Sequence, residues 1–90
     1  MTQRMKHNDF RRTVVNNVAH TARENAGSNG ENMDTTALNA LADRVVGIYV
    51  NNTEEVARRK IRRVLTKSTF APRADVISER MMNVLHQNFS

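Results

Sequence analysis

The chain contains no cysteine and no tryptophan, and it has only one proline, one tyrosine and three glycines. The lack of cysteine excludes disulfides, thiolate metal sites and a cysteine nucleophile. All apolar runs are shorter than the roughly 20 residues that a membrane-spanning helix needs, and the N-terminal segment lacks the apolar stretch of a secretory signal. We therefore expect a cytoplasmic protein with no membrane partner.

The scarcity of helix-breaking residues is typical of an all-helical chain. Apolar residues recur with helical rather than alternating spacing, and no internal repeat is evident. The 90 residues, 39% of them hydrophobic, suit one domain. We place a single helical domain at residues 9–90, behind a flexible N-terminal arm of residues 1–8. Four helices are predicted, at about residues 9–26, 35–50, 54–67 and 73–88.

The predicted fold is a small all-α four-helix bundle. A helix-turn-helix-like variant stays open, although the spacing of Ala42, Gly47 and Val56 does not fit the usual pattern of that motif. A chain this short supplies little core, so a homodimer that completes the core is a second option. The dimer interface would be the first helix or the apolar stripe of the fourth, which consists of Ile77, Met81, Val84 and Leu85.

Capping residues predict where the first two helices begin and end. Asn8 or Asp9 is expected to cap the start of the first helix, and Asp34 or Thr35 the start of the second. Gly27 suits the left-handed position that follows a helix, and it opens a polar connection to the second helix.

The connection between the second and third helices is the shortest. Asn52 and Glu55 have capping-box spacing there, and Thr53 is the competing cap. Gly47, on the outer side of the second helix, either allows a close helix approach or is simply tolerated. Phe70 is expected to plug the core beneath the last connection rather than to anchor a partner.

The net charge of +5 is concentrated in one segment. Residues 53–73 carry seven basic and two acidic side chains, and eleven of the fourteen basic residues in the chain are arginine. Arginine makes forked contacts with phosphate or carboxylate that lysine cannot make. On a helical wheel the third helix has an apolar stripe on one side and cations on nearly all the rest. These cations are Arg58, Arg59, Lys60, Arg62, Arg63 and Lys67.

The six cations, together with Asn52 and Thr53 near the helix start, are the predicted nucleic-acid-binding residues. A clustered cationic face gains affinity for phosphates by releasing counterions, and it needs no pocket. Duplex DNA is favoured over RNA as the partner. We expect a regulatory role in transcription or replication, with nucleoid association as the location.

Two other interpretations stay open. Glu54 with Arg58, and Glu55 with Arg59, have the i,i+4 spacing of ion pairs, which would neutralise part of the face within the helix. The face also suits an acidic protein, with the soft surface around Met81 as a second contact. The alternative function is therefore a helical protein-interaction module, an adaptor or an inhibitor.

No catalytic, cofactor or metal site is predicted. The three histidines lie far apart, and no serine, histidine and aspartate have positions that suggest a catalytic arrangement. The sequence contains neither a phosphate-binding loop nor a dinucleotide-binding motif. We therefore expect a binding protein rather than an enzyme.

Overall fold

The computed structural model describes the backbone of residues 2–27 and 34–89 and the side chains of residues 9–27 and 34–89. The described residues are helical throughout except at their connections, and they include no strand, which confirms the all-α, bundle-like fold. None of these helices has the length and apolar character needed to cross a membrane. The elements are α1 (Thr2–Asn25), α2 (Thr35–Asn51), α3 (Glu54–Thr66), a 3-10 turn (Ala71–Arg73) and α4 (Ala74–Phe89).

The first helix begins earlier than predicted. Because α1 starts at Thr2, Asn8 and Asp9 lie inside the helix and neither of them caps it. The segment before residue 9 contains no proline or glycine, so nothing in the sequence stops the helix there. At the other end, Gly27 has a φ of +70°, the left-handed conformation expected of a residue that ends a helix. The rest of the polar connection, residues 28–33, lies outside the described residues.

Side-chain caps fix the starts of α2 and α3. Asp34 caps α2, and its carboxylate accepts a hydrogen bond from the Thr36 backbone N–H at 3.2 Å. Thr53 caps α3, and its hydroxyl accepts from the Val56 N–H at 3.4 Å. The predicted capping box at Asn52 is wrong, because Asn52 is the C-cap of α2 and its side-chain amide donates to the Ile48 carbonyl at 2.8 Å.

The helices surround one core. Each of α1 and α3 packs against both α2 and α4. The third helix therefore turns one side to the core and keeps the opposite side free for solvent. The buried apolar side chains are Val14, Val18, Ala19, Ala22, Leu38, Ala42, Val45, Val46, Ala57, Ile61, Leu65, Phe70, Ala74, Ile77, Met81, Met82 and Leu85.

The fourth helix is buried over a wider arc than its predicted stripe. Ile77, Met81 and Leu85 are fully buried within the chain, so the prediction of a dimer interface along this stripe is wrong. Met82 is buried as well, which removes the predicted soft contact surface around Met81. The physical reason is that α4 packs against α1 on one side and α3 on the other. A homodimer formed through the first helix stays a prediction.

Aromatic residues lie at two places in the fold. Phe70 is buried beneath the connection between α3 and α4, which confirms its predicted role as a plug. Phe10, Tyr49 and Phe89 form an aromatic cluster that joins α1, α2 and α4. The Phe10 and Phe89 rings meet edge to face at 5.4 Å between centroids, and the Tyr49 and Phe89 rings stack at 5.6 Å.

Gly47 lies in the interior of α2, where a Cβ atom would meet no other atom within 4 Å. It therefore does not mediate a close helix approach, and it only adds flexibility to the unfolded chain. We expect Gly47→Ala to raise the free energy of unfolding by up to about 1 kcal/mol, the difference in helix propensity between the two residues. Urea unfolding followed by circular dichroism measures this change, and a loss of stability would contradict the open surroundings of Gly47.

Candidate nucleic-acid interface

The third helix is held to the core by a narrow apolar stripe. Ala57, Ile61 and Leu65 are fully buried, and Val64 is partly buried. These positions repeat at three- and four-residue intervals, so they occupy one side of the helix. Every cation of the segment lies outside this stripe and is exposed. The six exposed cations are Arg58, Arg59, Lys60, Arg62, Arg63 and Lys67.

Two of the six cations are paired with carboxylates of α4. Arg58 Nε lies 3.1 Å from Glu79 Oε2, and Arg62 Nη2 lies 2.6 Å from Asp75 Oδ1. All four side chains remain between 49% and 72% exposed.

The ion pairs predicted within α3, Glu54 with Arg58 and Glu55 with Arg59, are absent from the part of the chain that the structure describes. Arg58 contacts the carboxylate of the neighbouring helix instead. Arg58 lies next to the side of α3 that packs on α4, so its guanidinium can reach the carboxylate of Glu79 across the interface between the two helices.

Lys60 and Asn52 connect the start of α3 to the end of α2. The Lys60 ammonium donates to the Asn52 side-chain oxygen at 3.0 Å, while the amide of Asn52 donates to α2. Thr53 uses its hydroxyl as the cap of α3. These contacts give Asn52 and Thr53 structural roles at the helix junction, and their direct contact with nucleic acid stays a prediction.

The remaining three cations form a row along the outward side of α3. Arg59, Arg63 and Lys67 follow each other at four-residue intervals, and we call them the cationic row. Neighbours at this spacing lie about 5–6 Å apart at their Cβ atoms. Across residues 9–27 and 34–89, no carboxylate pairs with any member of this row. Among the described residues, the row is therefore the part of the predicted interface that no carboxylate compensates.

The other charged contacts lie on different helices. Arg11 of α1 pairs with Asp43 of α2 at 2.9 Å, and His20 pairs with Glu24 within α1 at 3.0 Å. Among the described residues, no three histidine, aspartate or glutamate side chains come together as a metal site. The cationic row thus offers charge and exposed hydrogen-bond donors, and these features suit the binding of an extended anion.

The two carboxylates of α4 beside the cations, Asp75 and Glu79, could not be found from the helical wheel of α3 alone. Asp75 and Glu79 are one turn apart on α4, as Arg58 and Arg62 are on α3. This matched spacing is visible in the sequence. It becomes meaningful only once α3 and α4 are known to be antiparallel neighbours. Comparison with protein-family models, curated proteins and solved structures finds no match to this chain.

Proposed function

We propose that this chain binds nucleic acid, and duplex DNA in preference to RNA, through the outward side of α3. The observation that carries the proposal is the cationic row, in which Arg59, Arg63 and Lys67 are exposed and unpaired within the described residues. Binding of these side chains to phosphates would release condensed counterions and relieve the repulsion between like charges. A regulatory role in transcription or replication is the function that we infer for such a binder.

The rigidity of the helix supports this proposal. From Arg59 to Lys67 the row covers eight residue steps, or about 12 Å at a rise of 1.5 Å per residue. The buried stripe of Ala57, Ile61 and Leu65 holds this length in place before any ligand arrives. A preformed row loses less conformational entropy on binding than a segment that must fold, which favours affinity for a regular, stiff polyanion.

The choice of duplex DNA rests on shape. A single α-helix fits the roughly 12 Å wide major groove of B-form DNA, whereas the major groove of A-form RNA is too deep and narrow for side chains to read. Binding of single strands relies on aromatic side chains that stack on bases. The third helix carries no aromatic residue, and the aromatic cluster joins the other three helices instead.

A salt titration tests the proposal. Fluorescence anisotropy with a labelled 20-base-pair duplex should show affinity that falls about 40-fold between 50 and 200 mM salt, since three phosphate contacts give a log–log slope of about −2.7. Unlabelled heparin should displace the duplex, and single-stranded DNA or duplex RNA of equal length should compete less well. Undetectable binding at 50 mM salt, or binding that does not respond to salt, would contradict the proposal.

One observation favours a second function, the binding of an acidic protein. Arg58 and Arg62 already contact carboxylates at the surface of the molecule, so the same helix can pair with the carboxylates of a partner. This partner would use the α3 side alone, since Met81 and Met82 are buried. Tight binding of an acidic protein at 50 mM salt, together with undetectable binding of the duplex under the same conditions, would favour this function over DNA binding.

A further inference from the structure

The two ion pairs between α3 and α4 form a regular ladder. Arg58 and Arg62 are one turn apart on α3, and Glu79 and Asp75 are one turn apart on α4 in the reverse order. Two antiparallel helices bring such residues face to face at consecutive turns. We call these four residues the ion-pair ladder. Its two carboxylates border the predicted DNA-binding side of α3.

The ladder lowers the charge that α3 presents. Residues 54–67 carry six cations and two glutamates, a net charge of +4. The carboxylates of Asp75 and Glu79 lie 2.6 and 3.1 Å from the guanidinium groups and halve this value to +2. Any phosphate that approaches Arg58 or Arg62 must compete with a carboxylate already in place, and it is also repelled by that carboxylate.

The ion pairs of the ladder contribute little to the stability of the fold, so they can break when another anion binds the arginines. All four side chains are roughly half exposed or more, and ion pairs this exposed stabilise a protein weakly. The buried residues of α3 and α4, among them Ile61, Leu65 and Ile77, hold the two helices together without it. Loss of the pairs should therefore leave the fold intact.

We propose that Asp75 and Glu79 are intramolecular competitors that hold Arg62 and Arg58 away from the phosphates and so set the affinity for DNA. This inference rests on the proposed function. It divides the cations of α3 into the cationic row, which contacts the phosphates first, and two arginines that become available when a carboxylate is neutralised or displaced. The two acids touch no DNA on this view, and they act through the arginines.

The test uses the double variant Asp75→Asn with Glu79→Gln, which keeps the size of both side chains. We expect duplex binding at 100 mM salt to tighten about five- to tenfold, and the salt slope to steepen by about 2 for two added phosphate contacts. The matched control is Asp9→Asn with Glu24→Gln, which changes the net charge equally on α1, away from the cationic row. It should alter the affinity less than threefold.

A second pair of substitutions tests whether Arg58 and Arg62 account for the gain in affinity. Arg58→Ala with Arg62→Ala should weaken binding only slightly in the natural chain. In the double variant that lacks both carboxylates, the same two substitutions should erase the gain in affinity, because they remove the side chains that the acids restrain. Circular dichroism checks that each variant folds.

The outcomes separate the inference from the proposed function. If the natural chain binds DNA and the double variant binds no better than the control, the competitor role is wrong and the DNA-binding proposal survives. Weaker binding by the double variant would also overturn the inference, since it would make the acids positioning residues. If neither chain binds DNA, both proposals fail.

Discussion

Charge reversal along the cationic row is expected to abolish DNA binding while the chain stays folded. The variant combines Arg59→Glu, Arg63→Glu and Lys67→Gln, with glutamine at the last position because a new carboxylate at the helix C-terminus would oppose the helix dipole. Three lost contacts at about 1 kcal/mol each correspond to a loss of affinity of about 100-fold, before the added repulsion is counted. Anisotropy at 100 mM salt measures the affinity.

The control for this variant changes the same charge elsewhere. Arg12→Glu, Arg44→Glu and Arg80→Gln alter exposed cations on α1, α2 and α4 and leave α3 intact. A general attraction between a basic protein and DNA predicts equal losses for the two variants, since both remove five units of positive charge. A localised interface predicts a large loss for the α3 variant alone. Equal losses would refute the assignment of the interface to α3.

Truncation of Ile61 should have the largest effect on stability. This side chain is fully buried on the core side of α3, and Ile61→Ala leaves a cavity that its neighbours only partly fill. We expect a loss of about 2–5 kcal/mol, which is a large part of the roughly 5–15 kcal/mol by which small domains are stable. The Tm should fall by about 8 °C or more, as a loss of 1 kcal/mol lowers the Tm of such a domain by about 4–8 °C.

A surface substitution provides the comparison. Val50→Ala removes an aliphatic side chain that is 48% exposed at the end of α2, and we expect a change within about 0.5 kcal/mol. DNA binding by the Ile61 variant should fall in proportion to its folded fraction, because the cationic row is aligned only in the packed helix. Unchanged stability after Ile61→Ala would show that α3 does not pack as described.

The helices and the exposed side of α3 could be predicted from the sequence because both depend on local spacing. Apolar residues at three- and four-residue intervals, such as Ala57, Ile61 and Leu65, fix which side of a helix is buried whatever its neighbours are. The same pattern leaves the cations outside. The end of α1 just before Gly27 could be predicted in the same way, since a glycine that follows a helical pattern marks a left-handed position.

Features that depend on the contacts between helices could not be predicted in this way. Pairing of Arg62 with Asp75 requires α3 and α4 to be antiparallel neighbours in one particular register, and periodicity on a single helix does not contain that information. The burial of Met82 likewise depends on how α4 packs against its neighbouring helices. The role of Asn52 was misjudged because asparagine is compatible with either end of a helix, and a connection this short leaves both ends within its reach.

The aromatic cluster has a consequence for how the molecule opens. Its rings link α1, α2 and α4, whereas α3 is attached through aliphatic side chains and short connections. Partial unfolding that frees α3 alone would expose Ile61 and Leu65 to water and would leave the three rings in contact. A polyanion that binds α3 only while this helix is packed on the core would suppress the opening by mass action. As more of the α3 surfaces become occupied, unfolding of the chain would become more cooperative.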